Sequence, residues 1–312
     1  MLGYIGGVLL GWSLGANDAA NVFGTAVGAR MVRWATAAFL AAVFVILGAW
    51  LQGGSGVETL SGLTHRAPGS VAASVFAAAA ALMLLTLLHL PVSSSQAVVG
   101  AMLGVGLVQG NLSVGSLGKV VACWVGTPVG GAVFYVVFHR VFQFVIDRLR
   151  PSPFALDSLL RIGLLVAGCY GAYALGANNA ANVATFLIED GGLSARQASL
   201  VGGLAIGIGI LTFSRRVMLT VGQSIVRISA FSAFIVVLAE AVTIHVYAVI
   251  GVPVSTTQAV VGGLFGIGLM KGFQVINWRT LAKILAGWIS TPVVAGAFAA
   301  LFYFLAHLTY AP

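Results

Sequence analysis

The sequence predicts an all-α polytopic membrane protein. It should consist of two inverted-topology repeats of about five membrane segments each, with broken or re-entrant helices at a midplane site. Three observations predict this class. Charge is almost absent, the apolar stretches are as long as a bilayer crossing, and the second half repeats the first.

Of the 312 residues, 60% are hydrophobic and 7% charged, with a mean hydropathy of +1.06. A soluble domain carries roughly 25% charged residues, so too little polar surface remains here to face water. The stretches lack the alternation of barrel strands, which leaves helices. In the first half they fall near 2–29, 34–51, 70–89, 91–110 and 117–138. In the second they fall near 160–188, 197–213, 228–250, 253–270 and 284–306. "MLGYIGG" has no basic region followed by a cleavage site, and reads as the start of the first membrane helix.

The repeat is explicit. "GANDAANV" at 15–22 returns as "GANNAANV" at 176–183, seven of eight positions being identical. "PVSSSQAVVGAMLGVGLVQG" at 91–110 returns as "PVSTTQAVVGGLFGIGLMKG" at 253–272, with 12 of 20 identical. "WVGTPVGG" at 124–131 returns as "WISTPVVA" at 288–295. These offsets place a first repeat at 1–145, a polar linker at 146–157 and a second repeat at 158–312.

Five segments per half is an odd number, so the second half enters the membrane from the opposite face. With the linker in the cytoplasm, 12 of the 15 basic residues fall inside and only Arg66, Lys119 and Arg196 outside, as the positive-inside rule requires. Both termini then lie outside. The formal charge of +8 is explained by these short basic loops. No basic run with interleaved aromatics points to nucleic acid. Cys123 and Cys169 lie in apolar segments and suggest no metal site.

Pro91 and Pro253 suit a first-turn position, where no amide hydrogen is needed. Ser93, Ser94 and Ser95, and Ser255, Thr256 and Thr257, then crowd a helix start whose free N–H groups favour an anion. Gln96 and Gln258 add amides one turn in. Capping alone accounts for one such run. Two copies, each followed by glycines that permit close helix approach, point to a binding site.

Asn17 and Asn21 share a helix face, as do Asn178 and Asn182. Asp18 stands beside Asn17, and its repeat counterpart is Asn179. Asparagine pairs can lock helices together in lipid. A buried carboxylate with no basic residue in its segment needs a cation or a proton instead. Asn17, Asp18, Asn178 and Asn179 are therefore the expected ligands of a coupling cation, Na+ or H+. Gly15, Gly24, Gly28 and Gly176 would let the helices unwind and offer carbonyls. The neutral donors, with Asn21 and Asn182, would hold a tetrahedral oxyanion. Glu240 is a further acid in a span, with His245 beyond it. It matches Ala79 and so lies outside the repeated pattern.

These motifs resemble the duplicated signatures of the inorganic phosphate transporter family, along nearly the whole chain and including "SRRVMLTVGQSI" at 214–225. The resemblance implies cation-coupled phosphate import across the plasma membrane, with no cofactor. It carries the phosphate and cation site onto Asn17, Asp18, Asn21, Asn178, Asn182, Ser93, Ser94, Ser95, Gln96, Ser255, Thr256, Thr257 and Gln258. The chain departs from the family at Asn179, where an Asp is usual, at Ser94-Ser95, and in Gln96 and Gln258 where His is often found. Some relatives carry sulfate, so a sulfate symporter is the alternative, with a passive channel behind it. An enzyme is not expected, because no Arg, Lys or His lies in the Asn-Asp or Ser-Thr clusters. No P-loop is present for ATP drive. A homodimer rests on analogy alone.

Overall fold

A computed structural model describes residues 2–28, 30–63, 69–88, 92–224 and 229–310. The sequence expectations for Arg66 and Pro91 lie outside the described residues. Helices account for most of the chain: α1 (Leu2–Gly28), α2 (Trp34–Gln52), a short α3 (Val57–Ser61), α4 (Ser70–Leu87), α5 (Ser94–Gln109) and α6 (Val114–Leu149). There follow α7 (Pro153–Gly191), α8 (Ala195–Ser224), α9 (Ala230–Ile250), α10 (Thr256–Lys271), a 3-10 turn at Phe273–Val275 and α11 (Trp278–Tyr310). No strand occurs among the described residues. In a lipid core the backbone must satisfy its own hydrogen bonds, and a helix does so within one segment.

Seven helices among the described residues are long and apolar enough to cross a membrane. α1 has 27 residues and is not among them, because Asn17, Asp18 and Asn21 interrupt its apolar run. α5 and α10 have 16 residues each, about 24 Å of helix against a hydrocarbon core of about 30 Å. Each is preceded by extended backbone, with Ser93 and Ser255 as N-caps. These two are the half-helices of the fold.

The expected breaks in the first and second Asn motifs do not occur. α1 and α7 run unbroken through them. Their glycines serve packing instead of unwinding. A side chain on Gly15 would run into the Ile206 carbonyl of α8, and one on Gly176 into the Val45 carbonyl of α2. Gly48 likewise faces the Tyr173 carbonyl, and Gly209 the Trp12 carbonyl. These contacts are related by the repeat offset of 161. Gly100 meets Pro292 of α11 and Gly262 meets Pro128 of α6 in the same reciprocal way. The helices of each half therefore pack on those of the other.

One further expectation is corrected. Pro253 lies two residues before the cap Ser255, in extended backbone outside the first turn. Most of the polar linker is helical, because α6 reaches Leu149 and α7 starts at Pro153. Ser152 accepts a bond from the Ala155 N–H at 3.3 Å, Pro153 fits the first turn, and Arg161 pairs with Asp157 at 2.8 Å.

Gly15→Ala should destabilise the fold by about 1–3 kcal/mol through overpacking against α8. A fluorescence-detected melting curve in detergent reads this. Gly118→Ala, where a side chain meets nothing within 4 Å, should leave the curve unchanged or raise it.

Candidate functional site

The four repeated motifs converge at one buried place. α1 contributes Asn17, Asp18 and Asn21, and α7 contributes Asn178, Asn179 and Asn182. The starts of α5 and α10 contribute Ser93–Gln96 and Ser255–Gln258. All are buried except Asn21, which is half-buried.

Ser93 and Ser255 do what an N-cap does. Each accepts a bond from a backbone N–H three residues on, Gln96 at 3.3 Å and Gln258 at 3.4 Å. The hydroxyls after them reach across the molecule. Ser95 donates to the Val254 carbonyl at 2.9 Å, and Thr257 donates to the Val92 carbonyl at 3.2 Å. Each half-helix is thereby tied to the extended lead-in of the other.

The Asn residues complete the lattice. Asn17 approaches the Val92 carbonyl at 3.5 Å, and Asn178 donates to the Val254 carbonyl at 2.9 Å. Asn21 donates to Thr256 at 2.8 Å and Thr257 at 3.3 Å, and Asn182 donates to Ser95 at 3.4 Å. Asn17 donates to Asp18 at 2.9 Å, and Asn178 to Asn179 at 2.8 Å. Almost every bond has a mate at the repeat offset.

A contact of another kind sits at the centre. Asp18 and Asn179 are repeat counterparts, and they touch: Asn179 Nδ2 donates to Asp18 Oδ2 at 2.6 Å. Ser94 donates to the same oxygen at 2.6 Å, while Asn17 serves Oδ1. Asp18 is 1% exposed. Three donors from three helices stabilise its charge; such bonds to an ionised group are shorter and roughly twice as strong as neutral ones. No Lys or Arg takes part. Three oxygens in the cluster are buried without a donor among the described residues: Gln96 Oε1, Gln258 Oε1 and Asn182 Oδ1. Those acceptors suit a cation or a hydroxyl-bearing anion.

Sequence reasoning missed the carbonyls of Val92 and Val254. Extended backbone ahead of a capped helix must place its carbonyls somewhere, and that is the signal available in the sequence. It also missed Thr86 of α4, 3.5 Å from Asn17 Oδ1. Glu240 on α9 is 2% exposed, and its Oε2 has no donor among the described residues. His245, further along α9, turns elsewhere. The ring bonds Tyr170 at 2.7 Å and Gln52 at 2.8 Å.

Comparison with known proteins decides the family. The model of the phosphate transporter family matches residues 14–299. The chain belongs to that family. A protein of Pyrococcus furiosus named as a phosphate permease is 27% identical, over 95% of this chain and 93% of its own. The alignment runs over 386 positions, so that family member carries segments this chain lacks. The sulfate permease of Bacillus subtilis is 32% identical over 91% of this chain and 81% of its own. A solved structure titled the sodium-dependent phosphate transporter superposes with a TM-score of 0.84, at 24% identity over 98% of both chains, and shows the same fold. The chain is a multi-pass membrane protein of a transporter family.

The Asp18–Asn179 contact gives a stability test. Ser94→Ala should cost about 1–3 kcal/mol by removing one of the two hydrogen bonds to the buried Asp18 Oδ2. Asn179→Asp sets two carboxylates against each other. That variant should melt earlier than the parent, and Na+ or a lower pH should restore it, as followed by melting curves across salt and pH.

Proposed function

We propose that the chain is a secondary active transporter that imports inorganic phosphate by symport with Na+ or H+. The observation that carries this reading is the Asp18 carboxylate, buried among neutral donors from both repeats with no basic residue beside it. The family supports a transport role, and the donor set supports an oxyanion with an accompanying cation.

An arriving anion competes for donors now turned on protein carbonyls and hydroxyls. The Ser95 and Thr257 hydroxyls and the Asn21 and Asn182 amides can each re-aim toward it. Its negative charge meets helix ends and not side-chain cations, so a co-transported cation near Asp18 must supply the balance. Asn17, Asp18, Asn178 and Asn179 form the cation side; the hydroxyls, both glutamines, Asn21 and Asn182 form the anion side.

Phosphate at neutral pH keeps hydrogens and can donate to the unmet oxygens of Gln96, Gln258 and Asn182, whereas sulfate only accepts. That difference favours phosphate. Sulfate is the second reading, because the sulfate permease of Bacillus subtilis is among the similar proteins.

The reciprocal bonds support a two-fold relation between repeats 1–145 and 158–312. The odd number of segments supports an axis in the membrane plane. Alternating access then follows as an exchange of shape between the repeats. The basic residues support a plasma-membrane orientation with both termini outside and the linker at 146–157 cytoplasmic. A homodimer is proposed by analogy with the family alone.

Purified protein in liposomes tests the reading. Labelled phosphate should accumulate against its own gradient when Na+ or protons run inward. Asp18→Asn should reduce uptake to background. Undiminished accumulation by that variant removes the cation role of Asp18. Preferential accumulation of sulfate selects the second reading, and equilibration without accumulation means a channel.

A further inference from the structure

Away from the central cluster, a cavity of about 680 Å³ opens between the end of α2, the turn after it, the start of α8 and the end of α9. Its polar lining is one-sided. Arg196, Ser199 and Gln52 face it, and no Asp or Glu does among the described residues.

Each of these side chains is left to offer N–H or O–H. The Arg196 guanidinium lies over the Trp50 ring, 5.0 Å from its centroid, and pairs with no carboxylate among the described residues. Gln52 Oε1 is taken by His245 Nε2 at 2.8 Å, which leaves its amide hydrogens. Ser199 is 1% exposed, and its hydroxyl has no partner among the described residues. Two carbonyls at its edge are already occupied: Ser55 Oγ shares its hydrogen between Ala248 O at 2.7 Å and Gln52 O at 3.0 Å. At the start of α8, Ser194 caps Gln197 N–H, and the Ala195 and Arg196 N–H groups have no acceptor within the helix.

We propose that this cavity binds a phosphate group, held by the Arg196 guanidinium, the Ser199 hydroxyl and the Gln52 amide. The group belongs either to inorganic phosphate or to a phospholipid headgroup; the exposed Trp50, Leu51 and Val249 form a rim on which a lipid's glycerol and chains can lie. The cavity is one backbone layer from the central cluster. A side chain on Gly53 would meet Ala180 at 2.6 Å, and one on Gly56 would meet Ala181 at 2.9 Å and Pro253 at 3.6 Å. Under the orientation proposed above it opens outward, beside the Asn179 and Asn182 end of the cluster. Only the inorganic-phosphate arm of the test rests on the transport reading.

Arg196→Gln and Ser199→Ala, made in the full chain, decide the matter. In liposomes of phosphatidylcholine alone, a site for inorganic phosphate predicts that Arg196→Gln raises KM for uptake about tenfold, with a much smaller change in kcat. Arg196→Lys should recover part of the loss, because it keeps the charge without the fork. In native mass spectrometry with phosphatidylglycerol, a headgroup site predicts that Arg196→Gln and Ser199→Ala each lose one retained lipid. Either result supports the site and names its source. Parental KM together with parental lipid retention in both variants overturns it. If the parent shows no uptake, the transport reading fails while lipid retention still judges this cavity.

Discussion

A single carboxylate without a basic partner governs this fold. Asp18 sits in the middle of a chain that is 7% charged, and it is 1% exposed. Removing such a group from water costs several kcal/mol even after relaxation. The compensation is divided among α1, α5 and α7, through Asn17, Ser94 and Asn179. Ser94 can reach the carboxylate only if α5 begins at that depth. The half-helix, its extended lead-in and the cap Ser93 all follow from that requirement. α10 repeats the arrangement for the other half, with Ser255 as cap and Thr256 bonded to Asn21.

The packing around the cluster is rigid where the cluster is adjustable. Gly15 against Ile206 and Gly176 against Val45 bring α1 to α8 and α7 to α2 at backbone contact, with no side chain between. The hydrogen bonds across the centre run through hydroxyl and amide groups that can turn to new acceptors at low cost. This seam links Ser95 to Val254 and Thr257 to Val92, so any separation of the α5 and α10 starts must exchange these bonds.

Much of this was legible in the sequence, for physical reasons that differ by element. Membrane helices announce themselves because lipid admits only helices and closed barrels, and the ten apolar stretches coincide with the ten longer helices. The repeated motifs identified the clustered side chains, because a buried polar residue in lipid needs a partner. The half-helices were legible from their capping residues. The continuity of α1 and α7 was not, since glycine serves both unwinding and close approach, and only the neighbour decides between them. Pro253 was misplaced for a similar reason: proline tolerates extended backbone as well as a first turn. The contact between Asp18 and Asn179 was readable in principle. Equivalent positions of two related repeats meet only on the axis that relates them, and these are the positions where the two Asn motifs differ.

That difference sets the charge of the site. Each helix start carries roughly half a positive elementary charge. The starts of α5 and α10 together therefore offset about one negative charge, which is what Asp18 alone presents. A second carboxylate at the position of Asn179 would leave about one charge unmet before any anion arrived. With the amide there, Asn179 stabilises Asp18 directly, and the resting cluster is close to neutral. Under the transport reading proposed above, an oxyanion adds one or two negative charges that no residue of the cluster can answer, and a cation arriving with it would make binding of one depend on binding of the other.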